Sequence, residues 1–209
     1  MTSPTLPKPL LALLLLLISS FFGPATYAQT SLIQNAPGRR VLSLNGSWNY
    51  IIDPYENGFY DYRRMAFDQS ASGKGGYYDN AKPSSAQEPE LIEYDFDHSA
   101  AMQVPGDWNS QDPKLLYYEG TIWLKKSFKI APTAGKRYFL YFGAVNYEAH
   151  IYLNGKKLGM HRGGFTPIQY EVTGKLNPGD NFVVVKADNT RHLDAVPTKI
   201  GRASCRERV

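Results

Sequence analysis

From about residue 41 onward, short apolar or alternating runs are separated by Gly, Pro and Asn-Gly pairs, which predicts strands and turns. Val41-Leu-Ser-Leu44 meets Asn45-Gly46, and Ser47 to Ile52 resumes the alternation, so a first hairpin is expected there. Gly120 to Ile130 predicts a strand with mixed faces, and the almost wholly apolar Arg137 to Val145 predicts a central one. Tyr147, Ala149, Ile151 and Leu153 alternate with Glu148, His150 and Tyr152, the pattern of a half-buried strand. Asn154-Gly155 then predicts a tight hairpin back through Lys156 to Met160. Pro178-Gly179-Asp180 leads into Asn181 to Asp188, a last core strand. No stretch sustains a 3.6-residue apolar repeat. The expected fold class is therefore all-β, a jelly-roll β-sandwich.

One region breaks the pattern. Between Asp53 and about Ala101 the regularity fails, yet Tyr55, Phe59, Tyr60, Tyr62, Phe67, Tyr77 and Tyr78 crowd it. Disordered segments are poor in aromatics, so this reads as a long, ordered, aromatic-rich insertion.

The two ends read differently from the middle. Lys8, the apolar run Leu10 to Phe22 and the small residues Thr26 and Ala28 predict a secretory signal peptide over residues 1–28. The run is short of the roughly 20 residues of a membrane span, although an uncleaved amino-terminal anchor is the alternative. Residues 200–209, Ile-Gly-Arg-Ala-Ser-Cys-Arg-Glu-Arg-Val, match the translation of a short-read sequencing adapter and are expected to be non-native. Residues 29–199 are then the domain, part of a longer parent, and its size suits a single core. The formal net charge of +4 falls to about +1 without the two ends. Neither nucleic acid nor, after signal cleavage, a membrane is expected as partner. The one cysteine, Cys205, lies in the tail, so no disulfide or thiol chemistry is expected of the domain. Export without a lipid-anchor cysteine points to the periplasm or secretion.

Candidate chemistry is sparse. His98, His150, His161 and His192 lack metal-ligand spacing, and His150 reads as a packing or solvated residue. Gly73-Lys-Gly-Gly76 lacks the ending and the following helix of a phosphate loop. Asn45-Gly46-Ser47 is a formal glycosylation sequon but also a good turn, and the turn is favoured. Glycosidases need two carboxylates roughly 5 to 9.5 Å apart. Glu88, Glu90 and Glu93 sit in a polar loop, while Glu119, Glu148 and Glu171 lie on or beside strands without an apolar pocket. No catalytic pair is expected, and no cofactor or metal.

Seven motifs in order carry a resemblance. They are Leu44-Asn-Gly-Ser-Trp48, Val104-Pro-Gly-Asp-Trp108, Tyr118-Glu-Gly-Thr-Ile-Trp123, Phe142-Gly-Ala-Val-Asn-Tyr147, the Tyr-Leu-Asn-Gly of Tyr152 to Gly155, Gly159-Met-His-Arg-Gly-Gly-Phe-Thr-Pro167 and Val185-Lys-Ala-Asp-Asn189. Together, over Leu42 to Pro197, the chain resembles the amino-terminal sugar-binding domain of family-two glycoside hydrolases, the β-galactosidases, β-glucuronidases and β-mannosidases. The resemblance implies a galactose-binding-domain-like jelly roll. It also implies that an immunoglobulin-like domain and a (β/α)₈ barrel follow as partners within the same polypeptide. The barrel would hold two catalytic glutamates of a retaining mechanism. A carbohydrate would then be bound through the parent enzyme.

One contact residue is implied within the chain. Galactosidase members let the residue before Trp in Val-Pro-x-x-Trp reach the sugar, and that position is Asp107 here, where they carry Asn. A carboxylate there accepts hydrogen bonds from sugar hydroxyls but repels a uronic acid. Trp48, Trp108 and Trp123 are expected as buried anchors, and the aromatic insertion as packing surface toward the barrel. A free-standing secreted carbohydrate-binding module and a purely structural docking domain are the rival readings.

Overall fold

The computed structural model describes residues 38–79 and 95–190, Ile33 and Asn35, and the backbone of Glu207 and Arg208. The expected signal peptide, His192, Cys205 and the glutamates at 88, 90 and 93 lie outside the described residues, as does most of the expected tail.

The unit Asn35–Val209 is an all-β sandwich of two antiparallel sheets. Its strands are β1 (Gly46–Asp53), β2 (Ala101–Val104), β3 (Thr121–Ile130), β4 (Phe139–Phe142), β5 (Glu148–Leu153), β6 (Lys156–Arg162), β7 (Ile168–Glu171), β8 (Gly179–Asp188) and β9 (Glu207–Arg208). The larger sheet runs β2-β1-β3-β8-β5-β6 and the smaller β7-β4-β9. A single helical turn, α1 (Trp108–Gln111), follows β2. The short β9 pairs with Tyr141 and Phe142 of β4.

Two departures from the sequence pattern have clear causes. Val41 to Leu44 does not form a hairpin with β1; β1 pairs instead with β2 and β3. Leu44 turns inward, and its carbonyl accepts the Trp48 indole N–H at 2.8 Å, so the apolar segment acts as a plug rather than a strand. β5 is not half-buried: from Ala149 to Leu153 every residue is buried. The Asn154-Gly155 hairpin does form, with φ of 51° and 76° at the two central positions, as the twist-matched two-residue turn requires.

Both faces of the large sheet are covered, which explains the burial of β5. Alternate strand residues point to opposite faces. Ile122 and Leu124 of β3, Ile151 of β5 and Val183 and Val185 of β8 enter the core between the sheets, with Trp48, Trp108, Leu140, Phe142 and Ile168. Trp123, Tyr152 and Val184, one position over, point the other way and pack with Phe59, Ala66, Tyr78 and Phe96 from the segment between β1 and β2. Residues 54–79 of that segment contribute no strand to either sheet; they fold as turns around one bridge, Tyr60 to Ala66, and a 3-10 turn at Phe67–Gln69. Tyr78 stacks on Tyr152 at 4.2 Å, and Tyr77 lies 5.7 Å from Trp123. These rings cover the domain's own sheet. The expectation that they face another domain is corrected for Phe59, Tyr77 and Tyr78, whereas Tyr55 and Tyr62 are exposed.

Candidate sugar-contact site

The residues that the motif Val104-Pro-Gly-Asp-Trp108 brings together sit where β2 leaves the sheet. The Val104–Pro105 peptide is cis. After it, Asp107 caps α1: its Oδ1 accepts the Ser110 N–H at 2.9 Å, the usual task of an aspartate at a helix start. Asp107 itself is half-buried, and among the described residues its Oδ2 makes no hydrogen bond.

Several contacts hold this corner rigid. The Gln111 side chain turns back onto β2, accepting from Gln103 N at 2.6 Å and donating to Gln103 O at 2.9 Å. That return passes so close to Gly106 that a Cβ there would stand 2.4 Å from Gln111 Nε2, so glycine is needed. Asn109 Nδ2 donates to Leu115 O at 2.6 Å and to Tyr118 O at 3.3 Å, tying α1 to the following loop. Asp112 caps the next turn through Lys114 N and accepts the Tyr50 hydroxyl through its other oxygen. Burial, then the Asp112 hydrogen bond, pushes the Tyr50 phenol up to about 12. Trp108 fills the core beneath. Asp107 thus presents one carboxylate oxygen without a hydrogen bond among the described residues, on a braced corner where it can accept from a hydroxyl.

Two of the glutamates on the strands, Glu148 and Glu171, are committed to ion pairs. Glu148 accepts from Arg162 Nε at 2.6 Å and meets His150 Nε2 at 2.8 Å. The His150 contact first, then Arg162, hold its carboxyl down to about 2 against the opposing effect of burial. A general acid needs the reverse shift. Glu171 is gripped by Arg137 through two oxygens at 2.9 and 2.7 Å and is likewise lowered to about 2, chiefly by that hydrogen bond. Glu119 is exposed in the loop before β3.

His150 is a buried packing residue, its ring 4.9 Å from Phe59. His161 pairs with Thr166 and His98 with Asp95, so the histidines are dispersed. Among the described residues no group of His, Cys, Asp and Glu could hold a metal ion. Trp48, Trp108 and Trp123 are all buried, as expected of anchors.

Sequence reasoning missed the ionic layer on the outer face of the large sheet. Lys186 of β8, only 2 % exposed, meets Glu56 at 2.7 Å, and Lys125 of β3 meets Asp97 at 3.2 Å. Lys157 of β6 meets Asp68 at 2.6 Å, and Asp68 also accepts the Tyr152 hydroxyl at 2.9 Å. Asp53 accepts the Trp123 indole N–H at 2.9 Å and the N–H groups of Asn57 and Gly58. In each of these three pairs the sheet supplies the lysine and the segment between β1 and β2 supplies the acid. Lysines within otherwise apolar strands were the available signal.

The described residues thus form an all-β sandwich with a well-braced corner that carries Asp107. Residues 41–196 match the family model described as the sugar binding domain of glycosyl hydrolases family 2. The chain belongs to that family. A β-glucuronidase of Bacteroides fragilis is 38% identical over 101 residues, covering 46% of this chain and 14% of the relative. A β-galactosidase of Thermoanaerobacter pseudethanolicus is 32% identical over 83 residues, covering 38% of this chain and 11% of the relative. The solved β-glucuronidase of Lactobacillus rhamnosus superposes with a TM-score of 0.57 and 26% identity, over 84% of this chain and 26% of that one. The chain therefore spans a small fraction of the length of the relatives it matches.

Proposed function

We propose that this chain is the amino-terminal sugar-binding domain of an exported β-glycosidase that hydrolyses O-glycosyl bonds of β-glucuronides or β-galactosides, and that it is inactive alone. The match of residues 41–196 to the family's sugar-binding domain carries the reading. It is supported by the ion-paired state of Glu148 and Glu171, whose carboxyls are held low, the reverse of what a leaving-group acid needs. The reactive acids would belong to a barrel encoded further along the same gene, and the mature protein would act in the periplasm or outside the cell.

Within that enzyme Asp107 would lend its free oxygen to a hydroxyl of the bound sugar from across a domain boundary. A carboxylate in that position favours a neutral galactoside over a glucuronide, because two anions close together repel. Long-read sequencing through codon 199 tests the reading. The frame is expected to continue into a barrel with two catalytic glutamates, and a native stop codon soon after Val196 would overturn it. In the complete enzyme, Asp107→Asn should lower KM for an aryl β-glucuronide more than for the galactoside. Equal effects on both would remove Asp107 from the site.

A further inference from the structure

The bridge between Tyr60 and Ala66 closes a five-residue loop, Asp61 to Met65, that stands on the outer layer of the domain. The loop is fixed from within. Asp61 Oδ1 accepts from Arg63 N and Met65 N, both at 2.8 Å, and Asp61 O accepts from Arg64 N at 2.9 Å. Arg64 sits at φ 60°, a conformation that a residue with a side chain enters at some cost. This rigid turn spends its side chains on solvent: Tyr62 is 86 % exposed and Met65 61 %, while Tyr55, whose carbonyl accepts from Arg64 Nη1 at 3.2 Å, is 74 % exposed.

Two guanidinium groups are ordered against these rings. Arg63 lies 5.1 Å over Tyr62, and Arg64 lies 4.7 Å over Tyr60. Glu56 stands 3.9 Å from Arg64, but that carboxylate is shared with the buried Lys186. With Asp61 and Glu56 counted against Arg63, Arg64 and Lys186, the loop and its neighbours keep an excess of positive charge, and Arg63 is exposed beside the Tyr62 ring. An exposed aromatic ring and a planar donor side by side suit a sugar ring that bears a carboxylate. The ring packs on the C–H face of the sugar and the guanidinium takes the carboxylate in its fork.

We propose that Tyr62 and Arg63, with Tyr55 and Arg64 beside them, form an auxiliary binding site for uronate-bearing polysaccharide. This site is separate in sequence and in layer from the corner held by Asp107. It rests only on the carbohydrate-binding part of the function proposed above and requires no catalytic residue. Nucleic acid is the poorer occupant, because the domain between the two ends is nearly neutral.

Affinity electrophoresis of the full chain in native gels tests the proposal. Gels contain polygalacturonate, neutral hydroxyethylcellulose, or no polymer, and a short DNA duplex is added to a fourth set. Polygalacturonate is expected to retard the chain, while the neutral polymer and the duplex do not. Tyr62→Ala and Arg63→Gln should each weaken retardation by roughly fivefold, the loss of about one ring or cation contact. Lys129→Gln, at an exposed ion pair with Asp180 on β3, should change nothing. Both test positions are exposed, and unchanged circular dichroism would show that the fold survives. No retardation, equal retardation by the neutral polymer, tighter binding of the duplex, or full retardation of Tyr62→Ala and Arg63→Gln would each overturn the proposal. Failure here leaves the glycosidase reading intact, because that reading is decided by the downstream gene and not by this loop.

Discussion

The two faces of the large sheet are built from the same strands and solve burial in opposite ways. Toward the small sheet, Ile122, Leu124, Ile151, Val183 and Val185 meet Leu140, Phe142 and Ile168 in an apolar core. Toward the segment between β1 and β2, Trp123 and Tyr152 share their face with Lys125, Lys186 and His150, and the covering residues bring Glu56, Asp68 and Asp97 to them. The inner face is held by non-directional area burial, which tolerates exchange of one apolar residue for another. The outer face depends on pairings that fail when one partner goes, since a lone buried charge costs far more than the pair gains. An outer layer built that way can be specific in position without being a large source of stability.

The comparison is broken most strongly from inside. Trp48→Ala should cost about 3–5 kcal/mol, measured as a fall in the urea midpoint, because it empties the inner core and removes the bond to Leu44 O. On the outer face, Glu56→Gln should cost about 3 kcal/mol by stranding buried Lys186. The double variant Glu56→Gln with Lys186→Met should recover most of that loss; a loss as large as the single variant's would mean the layer is held by packing alone. A double-mutant cycle of this kind separates the pair from its surroundings.

Acid gives a third probe. Glu148 has its carboxyl lowered from 4.5 to about 2, so its contribution is complete above about pH 4.5 and is lost as pH falls toward 2. Stability measured by denaturant at successive pH values should drop over that window, and Glu148→Gln should flatten the drop. An unchanged slope would show that the His150 and Arg162 contacts do not persist in solution. The smallest effect is expected at the rim: Arg137→Ala breaks an exposed pair with Glu171 and should leave the urea midpoint almost unmoved.

Legibility from sequence divides along the same line as the two faces. The strand-like runs of β3 and β8, the alternation of β5 and the Asn154-Gly155 turn announce the strands and the sandwich, because each depends on neighbours in sequence. The outer layer does not announce itself. Lys186 and Glu56 are 130 residues apart, and a lysine on an alternating strand looks like a solvated one until its cover is known. The same ignorance made β5 read as half-buried. Val41 to Leu44 failed as a strand for a related reason: its apolar residues were counted, but the Trp48 indole that draws the Leu44 carbonyl inward acts outside any periodicity.

The candidate corner was half legible. The motif Val104-Pro-Gly-Asp-Trp108 marked Asp107, while the grip of Gln111 on β2 and the need for Gly106 beneath it are visible only in three dimensions. The close approach of Gly58 to Tyr77 is of the same kind, since a Cβ would lie 2.2 Å from the ring.

The most direct measurement is hydrolysis by the full chain itself. Incubated with 4-nitrophenyl β-glucuronide and 4-nitrophenyl β-galactoside, it should release no nitrophenol above the buffer rate across the acid and neutral range. Turnover that persists through purification and disappears on replacing Glu148 or Asp107 would contradict the proposal that the chain is inactive alone.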